Sequence, residues 1–251
     1  MINLHNHSTW SDGRYTPKQL ARLGIQSKLS HLGISDHFFT NKMFLERTFV
    51  DVDQIDDYLD DLRRVARRFA SKINLLAGIE VDWSARTQSK IAALWPKIDR
   101  FDYVLFEYVE DAEWHGNSLE SLLTARTCIS IPVGLAHNNL SENFCSYYTA
   151  DELAWALHEH DIFVELSTNP FTAYYKSTDP YSLELWKALA KHKVRFSIGS
   201  DTHDFAADVA RVQNAHTFLE NKGLLKQLIT EWWNPRQKTW IDQREKACLA
   251  R

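Results

Sequence analysis

Seven short apolar runs, each parted from the next by a longer amphipathic stretch, constrain how this chain can fold. They are Ile2–His5, His31–Ser35, Asn74–Val81, Tyr103–Glu107, Ile131–Ala136, Ile162–Leu166 and Val194–Ile198. Short apolar runs, often rich in Val and Ile, read as strands. Helical patterns lie between them, over Pro17–Lys28, Val52–Ala70, Leu119–Cys128, Ala150–His160, Ser182–His192 and Ala207–Asn221. In the strongest of these, Ile55, Tyr58, Leu59, Leu62, Val65 and Phe69 share one face. Its acidic residues come early and its arginines late, as the helix dipole favours. The charge run reads as a solvated face, with Asp60 in reach of Arg63 or Arg64.

Strands alternating with helices imply βαβ units and a parallel sheet. The expected fold is α/β, a distorted seven-stranded (β/α)7 barrel of TIM-like form over residues 1–233. Residues 234–251 are expected to form a tail or a docked terminal helix. An open doubly wound sheet is the alternative, although no G-x-G-x-x-G follows the first strand to support a dinucleotide-binding version.

A chain of 251 residues can bury a sizeable core without disulfide staples. Cys128, Cys145 and Cys248 are odd in number and far apart, which argues against a disulfide framework or a thiolate zinc site and for a reducing compartment. The net charge of −4 gives no global attraction to nucleic acid. No signal peptide or membrane span is visible, so a cytoplasmic protein with neither membrane nor nucleic-acid partner is expected. Nothing in the sequence sets an oligomeric state.

In a β/α barrel the chemistry sits on the loops that follow the strands. His5, His7 and Asp12 follow the first strand, and His37 the second. Glu80 and Glu107 end the third and fourth. His137 follows the fifth, Ser167 and Asn169 the sixth, and Asp201 and His203 the seventh. His5 and His7 are two apart, so an extended chain points both to one face, and Asp201 and His203 repeat that spacing. Imidazole and carboxylate suit Zn²⁺, Mn²⁺ or Fe²⁺, and a cluster of them without cysteine reads as catalytic. One H-x-H alone is weak. The convergence on one mouth carries the argument. His31 lies at the wrong end of a strand, and His158, His160, His192 and His216 fall on helices. His115 is a minor candidate. Aromatics crowd the same mouth, among them Trp10, Trp83, Tyr108, Trp114, Phe171 and Tyr174. Packing is the ordinary role for each, and together they suit a ring-bearing leaving group.

The motifs LHNHSTWSDG, GISDH, LLAGIEVDW, GLAH, VELSTN and IGSDTH occur in this order from the first strand to the seventh. In them the chain resembles the PHP family, named for polymerase and histidinol phosphatase. The stretches DQIDDYLDDLRRVARRF and VARVQNAHTFLENKGL resemble its histidinol-phosphatase-like branch. The resemblance implies a barrel with two to three divalent metal ions and hydrolysis of a small phosphorylated substrate. Carried over by position, one metal takes His5, His7, Glu80 and Asp201. Glu80 bridges to a second that also takes His137, and a third takes Asp12, His37 and His203. Glu80, Asp201 and His203 are the candidate catalytic residues.

The family's histidine after the fourth strand is replaced here by Val109, which cannot bind metal. Glu107, two positions earlier, is the candidate substitute. On a strand that stays extended it faces the same way, about 6.6 Å deeper at roughly 3.3 Å per residue. Asn3 stands where the family often has aspartate. The implied chemistry is in-line attack of metal-activated water on phosphorus, with Arg14 and Arg211 as candidate phosphate clamps. Two rivals stand beside it. A metal-dependent amidohydrolase also opens with H-x-H, but no bridging lysine is evident. A degenerate PHP domain that binds a phosphorylated ligand without turnover would account for Val109.

Overall fold

A break in one strand sets the shape of the site end of the fold. The computed structural model describes residues 1–40 and 49–232, so the expected tail over 234–251 lies outside the described residues. Its elements are β1 (Ile2–Asn3), α1 (Pro17–Gln26), β2 (His31–Ile34), β3 (His37–Phe38), α2 (Ile55–Phe69), β4 (Asn74–Asp82), α3 (Gln88–Ile98) and β5 (Tyr103–Glu107). They continue with α4 (Leu119–Arg126), β6 (Val133–Leu135), α5 (Leu140–Phe144), α6 (Ala150–Glu159), β7 (Ile162–Ser167), α7 (Pro180–Lys191), β8 (Phe196–Gly199) and α8 (Gln213–Asn221). The parallel order is β1-β2-β4-β5-β6-β7-β8, with β3 also pairing β4. Thus β2 and β3 form one stave interrupted at Ser35 and Asp36. Leu4 N donates to Ile198 O and Asp201 N to His5 O, each at 2.9 Å, which brings the first stave against the last. The result is a nearly closed, distorted barrel of seven staves, the expected fold class.

Alternation along the strands separates two apolar layers. Leu76, Tyr103, Leu105 and Phe163 point inward and pack with Ile2, Leu4, Ile229 and Trp232. Their neighbours Leu75, Ala77, Val104, Phe106, Val164 and Leu166 point outward under the helices. Gly78 makes room for the inner layer, since a Cβ there would lie 2.2 Å from the Tyr103 ring. The Tyr103 hydroxyl then donates to Leu4 O at 2.5 Å. The inward parity of β4 and β5 continues past this layer to Glu80 and Glu107, so the apolar core gives way to carboxylates at the carboxyl ends of the strands.

Helix α2 buries Ile55, Tyr58, Leu59, Leu62 and Val65, the face set by the sequence. Truncating Leu62 to Ala would cost about 2–5 kcal/mol. Its Tyr58 hydroxyl donates to Gly78 O (3.0 Å) and accepts from Asp36 N (3.3 Å), so the helix anchors the loop that delivers His37. The expected pairing of Asp60 is replaced: Arg64 pairs with Asp61 at 3.5 Å, and Arg63 donates to Arg100 O at 2.9 Å. Helix α1 starts with Pro17 behind a capping box of Thr16 and Gln19. Among the described residues, two α-helices lie outside the sequence expectation. In α3, Pro96 sits in the last turn and obscures an apolar stripe of Ile91, Leu94 and Ile98. The other, α5, is only 5 residues long.

Candidate metal centre

Glu80 lies at the middle of the polar cluster, and strand register puts it there. His37 is its Cα partner on β3 and Leu105 its partner on β5, while Glu107 pairs two positions later with Asp82. Glu80 is fully buried, and both carboxylate oxygens face imidazoles. His137 Nε2 (3.1 Å) and His5 Nε2 (3.3 Å) approach Oε1, and His37 Nδ1 (2.8 Å) and His7 Nε2 (3.5 Å) approach Oε2.

Among the described residues, four overlapping groups have nitrogen and oxygen atoms within 4.8 Å of one another: His7, Asp12, His37 and His203; His5, His7 and Glu80; His5, His137 and Asp201; and His37, Glu80 and Glu107. Every residue expected as a metal ligand falls in at least one. The partition differs from the expected one. His7 also joins the Asp12 group, and Glu107 groups with His37, its Oε2 standing 4.0 Å from His137 Nε2. The donor set fits divalent metal. It has oxygen and imidazole atoms at ligand spacing, and His5 Nε2 and His7 Nε2 face each other at 3.0 Å, where a shared cation would satisfy both lone pairs.

The electrostatics also suit a cation site. Burial works against charge on Asp12, Glu80 and Asp201, yet their imidazole neighbours keep all three carboxyls low. Asp12 is held below the usual carboxylate range by the hydrogen bond from His203 and by His7 and His37, and Glu80 is held well below it by His5 and His37. Asp201 is held low chiefly by His203, with a hydrogen bond from His7. Burial also lowers His203, but Asp201 and Asp12 outweigh it and raise that imidazole to about 9. His7 goes the other way, lowered to about 3 by burial and by its neighbours His203 and His37.

The backbone around the cluster is strained where it turns. His137 and Asp201 adopt φ of +27° and +50°, unusual for residues with a Cβ. Such strain costs on the order of 1–3 kcal/mol and concentrates at functional sites. Tyr108 has φ +63°, which ends the extended run of β5 after Glu107. The expectation that Glu107 and Val109 face the same way therefore fails. Val109 turns into the core beneath the helices, fully buried, while Glu107 stays in the cluster.

Two of the residues that support the cluster, Asp36 and Glu165, are not singled out by the sequence, whereas Asn169 and Asn3 are. Asp36 Oδ1 accepts from Ser8 N and Ser11 Oγ, both at 2.6 Å, and Oδ2 from Ser8 Oγ at 2.7 Å, which shapes the loop between His7 and Asp12. Glu165 Oε2 meets His5 Nδ1 at 2.9 Å. Parity was the available signal, since Phe163, Glu165 and Ser167 alternate with Val164 and Leu166. Asn169 Nδ2 donates to Asp201 Oδ2 at 2.8 Å. Asn3 ties β1 to the loop after β8, donating to Ser200 Oγ at 2.7 Å and accepting from Ser200 N at 3.1 Å.

Above the cluster opens a cleft of about 490 Å³, with His137, Asp201 and His203 in its wall. Tyr108 and Trp114 stack at 4.9 Å on one side, and Phe171 and Tyr174 line it too. Trp83 is instead buried core, and His115 is an exposed loop residue outside the metal groups. Arg14 and Arg211 do not line the cleft. Arg14 is exposed, and Arg211 pairs with Asp208 at 2.9 Å.

Known structures share this architecture. HisK of Listeria monocytogenes aligns at 14% identity over 86% of this chain and 100% of its own, with a TM-score of 0.58. Histidinol phosphate phosphatase from Lactococcus lactis subsp. lactis, solved with zinc, L-histidinol and phosphate, aligns at 17% identity over 88% and 93%, with a TM-score of 0.60. A structure from the pair YwqE of Bacillus subtilis and CpsB of Streptococcus pneumoniae, described as metal-dependent tyrosine phosphatases, aligns at 15% identity over 91% and 95%, with a TM-score of 0.51. At these identities the likeness is one of fold. No curated protein matches the chain. Residues 3–232, which hold every member of the cluster, match the PHP domain, and the chain belongs to the PHP domain family.

Proposed function

We propose that the protein is a metal-dependent phosphoesterase acting on a small phosphate monoester whose leaving group carries a ring and a positive charge. The observation that carries this reading is Glu80 held among four imidazoles at the foot of an open cleft. His5, His7, Glu80 and Asp201 would hold one ion, Glu80, Glu107 and His137 a second, and Asp12, His37 and His203 a third. Bound there, such ions polarise a phosphoryl oxygen and lower the pKa of water. The chain's part is to fix the ligands: Asn169 orients Asp201, and Asp36 shapes the loop between His7 and Asp12.

The rim supports the choice of substrate. Glu110, Asp111, Glu113 and Glu142 line the cleft, and no lysine or arginine does among the described residues. A polyanion such as DNA would meet repulsion there, whereas a cationic leaving group would meet attraction. Stacked Tyr108 and Trp114 offer a flat face to a ring or a cation. A phosphorylated amino alcohol with an aromatic ring has this chemistry, as has the histidinol of the L. lactis complex. Among the described residues no helix is long and apolar enough to cross a membrane.

The test is a panel assay on protein loaded with Zn²⁺, Mn²⁺ or Fe²⁺. It compares a ring-bearing amino-alcohol phosphate, neutral aryl and sugar phosphates, and single-stranded and duplex DNA. The reading expects the highest kcat/KM for the cationic ester. Full metal content with no turnover across the panel would establish a ligand-binding domain instead. DNA hydrolysis without monoesterase activity would refute the substrate class.

A further inference from the structure

We infer that Glu165 is a positioning residue of the metal centre: it accepts the Nδ1 proton of His5 and thereby aims the lone pair of His5 Nε2 into the cluster. The inference rests on reading that cluster as a metal site. It adds a residue that lies outside the ligand set and gives it one defined task.

The His5 ring bridges two environments. Its Nδ1 lies 2.9 Å from Glu165 Oε2, with side-chain exposures of 0% and 1%. Its Nε2 lies 3.0 Å from His7 Nε2, 3.3 Å from Glu80 Oε1 and 3.8 Å from Asp201 Oδ1. A neutral imidazole carries one proton, and only the nitrogen without it can ligate. An ionised carboxylate can accept but not donate, so Glu165 selects the tautomer with the proton on Nδ1 and the lone pair on Nε2. The negative charge behind the ring also makes Nε2 a stronger donor to a cation.

The surroundings are built around this pair. On β7, Glu165 points inward in the parity of Phe163; its Cα partner on β8 is Ser197, and Gly199 lies two positions further along β8. A Cβ at position 199 would fall 2.2 Å from Glu165 Oε1 and 2.5 Å from His5 Cβ. Glycine at this position is thus a requirement of the contact. A buried carboxylate is costly unless paired. Among the described residues the hydrogen bond of the Glu165 side chain goes to His5 alone, Oε1 having none. A group kept for stability alone would be better replaced by an apolar side chain.

The experiment compares the parent protein with Glu165→Gln, Glu165→Asp and Gly199→Ala. It measures Zn²⁺ and Mn²⁺ affinity by chelator competition, melting of the metal-free protein, and the His5 proton position by long-range ¹H–¹⁵N spectra. Glutamine keeps the shape but removes the charge, and its amide can present a donor to Nδ1. Glu165→Gln is expected to weaken metal binding about 10–100-fold, without lowering the melting temperature of the metal-free protein. Gly199→Ala should weaken binding by pushing the carboxylate off the ring. Glu165→Asp keeps the charge but withdraws it by about 1.5 Å, one carbon–carbon bond, and should fall between parent and Gln. In the metal-loaded parent, His5 should be protonated on Nδ1.

Parent-like affinity in Glu165→Gln, or a His5 proton on Nε2, overturns the inference. If Glu165→Gln fails to fold, Gly199→Ala and the parent spectrum decide. A parent that binds metal with His5 protonated on Nδ1, yet hydrolyses no phosphoester, supports the inference and overturns the proposed function.

Discussion

Glu107 and Val109 stand two positions apart and point into different worlds: the carboxyl lies 3.5 Å from His37 Nδ1, whereas the valine is sealed in the core under the helices. Tyr108, at φ +63°, makes the turn between them. Two outcomes follow. Glu107→Gln should lower the metal content of the saturated protein by up to one equivalent and reduce activity, read by elemental analysis and the panel assay. Unchanged stoichiometry and affinity would remove Glu107 from the ligand set. Val109→His should add no metal, because the position faces away from the cluster. It should destabilise the fold by about 1–3 kcal/mol through burial of a polar ring, read by denaturant melts.

Glu80 is approached by His5, His7, His37 and His137. Glu80→Gln is isosteric, so the barrel should still fold, but the metal-free protein should melt lower, since the imidazoles that hold the Glu80 carboxyl low lose their counter-charge. Turnover should be abolished, because a neutral amide bridges cations poorly and turns an N–H₂ toward one of them. Circular dichroism checks the first expectation and the panel assay the second. Activity within a few-fold of the parent would show that Glu80 bridges nothing essential.

The sequence showed the staves clearly because each is a short apolar run bounded by polar residues, and the order of the motifs placed His5, His7, Glu80, Asp201 and His203 at one mouth. Two kinds of information were hidden. One was a break in regularity. The positive φ at Tyr108 leaves no mark in a run of apolar and aromatic residues, so extending β5 by parity put Val109 on the wrong face. Pro96 hid α3 in the same way, by signalling a stop inside what is the helix's last turn. The other was the supporting polar layer. Asp36 and Glu165 sit within motifs already quoted, but their importance depends on which atoms they meet across the barrel, and that requires the sheet register. The rim of the cleft, where Glu110 and Glu142 come together from separate loops, was illegible for the same reason.

Asp179 offers a test of the scaffold away from the site. It caps α7, accepting from Ser182 N at 2.9 Å, and also accepts from Ser182 Oγ at 2.6 Å, Ser177 Oγ at 2.5 Å and Ser141 Oγ at 2.8 Å. The Ser177 and Ser182 hydrogen bonds hold its carboxyl below the usual range. A depressed folded pKa means that the unfolded chain binds the proton more readily. The stabilisation is therefore complete above the unfolded value of about 3.9 and is lost as pH falls toward the folded one. Asp179→Ala should cost about 1 kcal/mol at neutral pH, with the gap from the parent narrowing in acid. A constant gap down to the acid transition would contradict the assignment.

Metal loading itself should move protons, in a direction set by the cluster. In the metal-free protein Asp201 and Asp12 hold the His203 imidazole at about 9, so at neutral pH it carries a proton despite its burial. His137 is raised too, burial opposing and Glu80 prevailing. Both must be neutral to ligate. Binding of Zn²⁺ or Mn²⁺ near pH 7 should therefore release protons, and affinity should rise with pH until those imidazoles are deprotonated. Calorimetric titrations in buffers of different ionisation enthalpy measure the release directly. His203→Ala should release fewer protons per ion bound than the parent. A titration with no buffer dependence would mean that the histidines are already neutral, and that the carboxylates around them do not hold the charge their burial and spacing require.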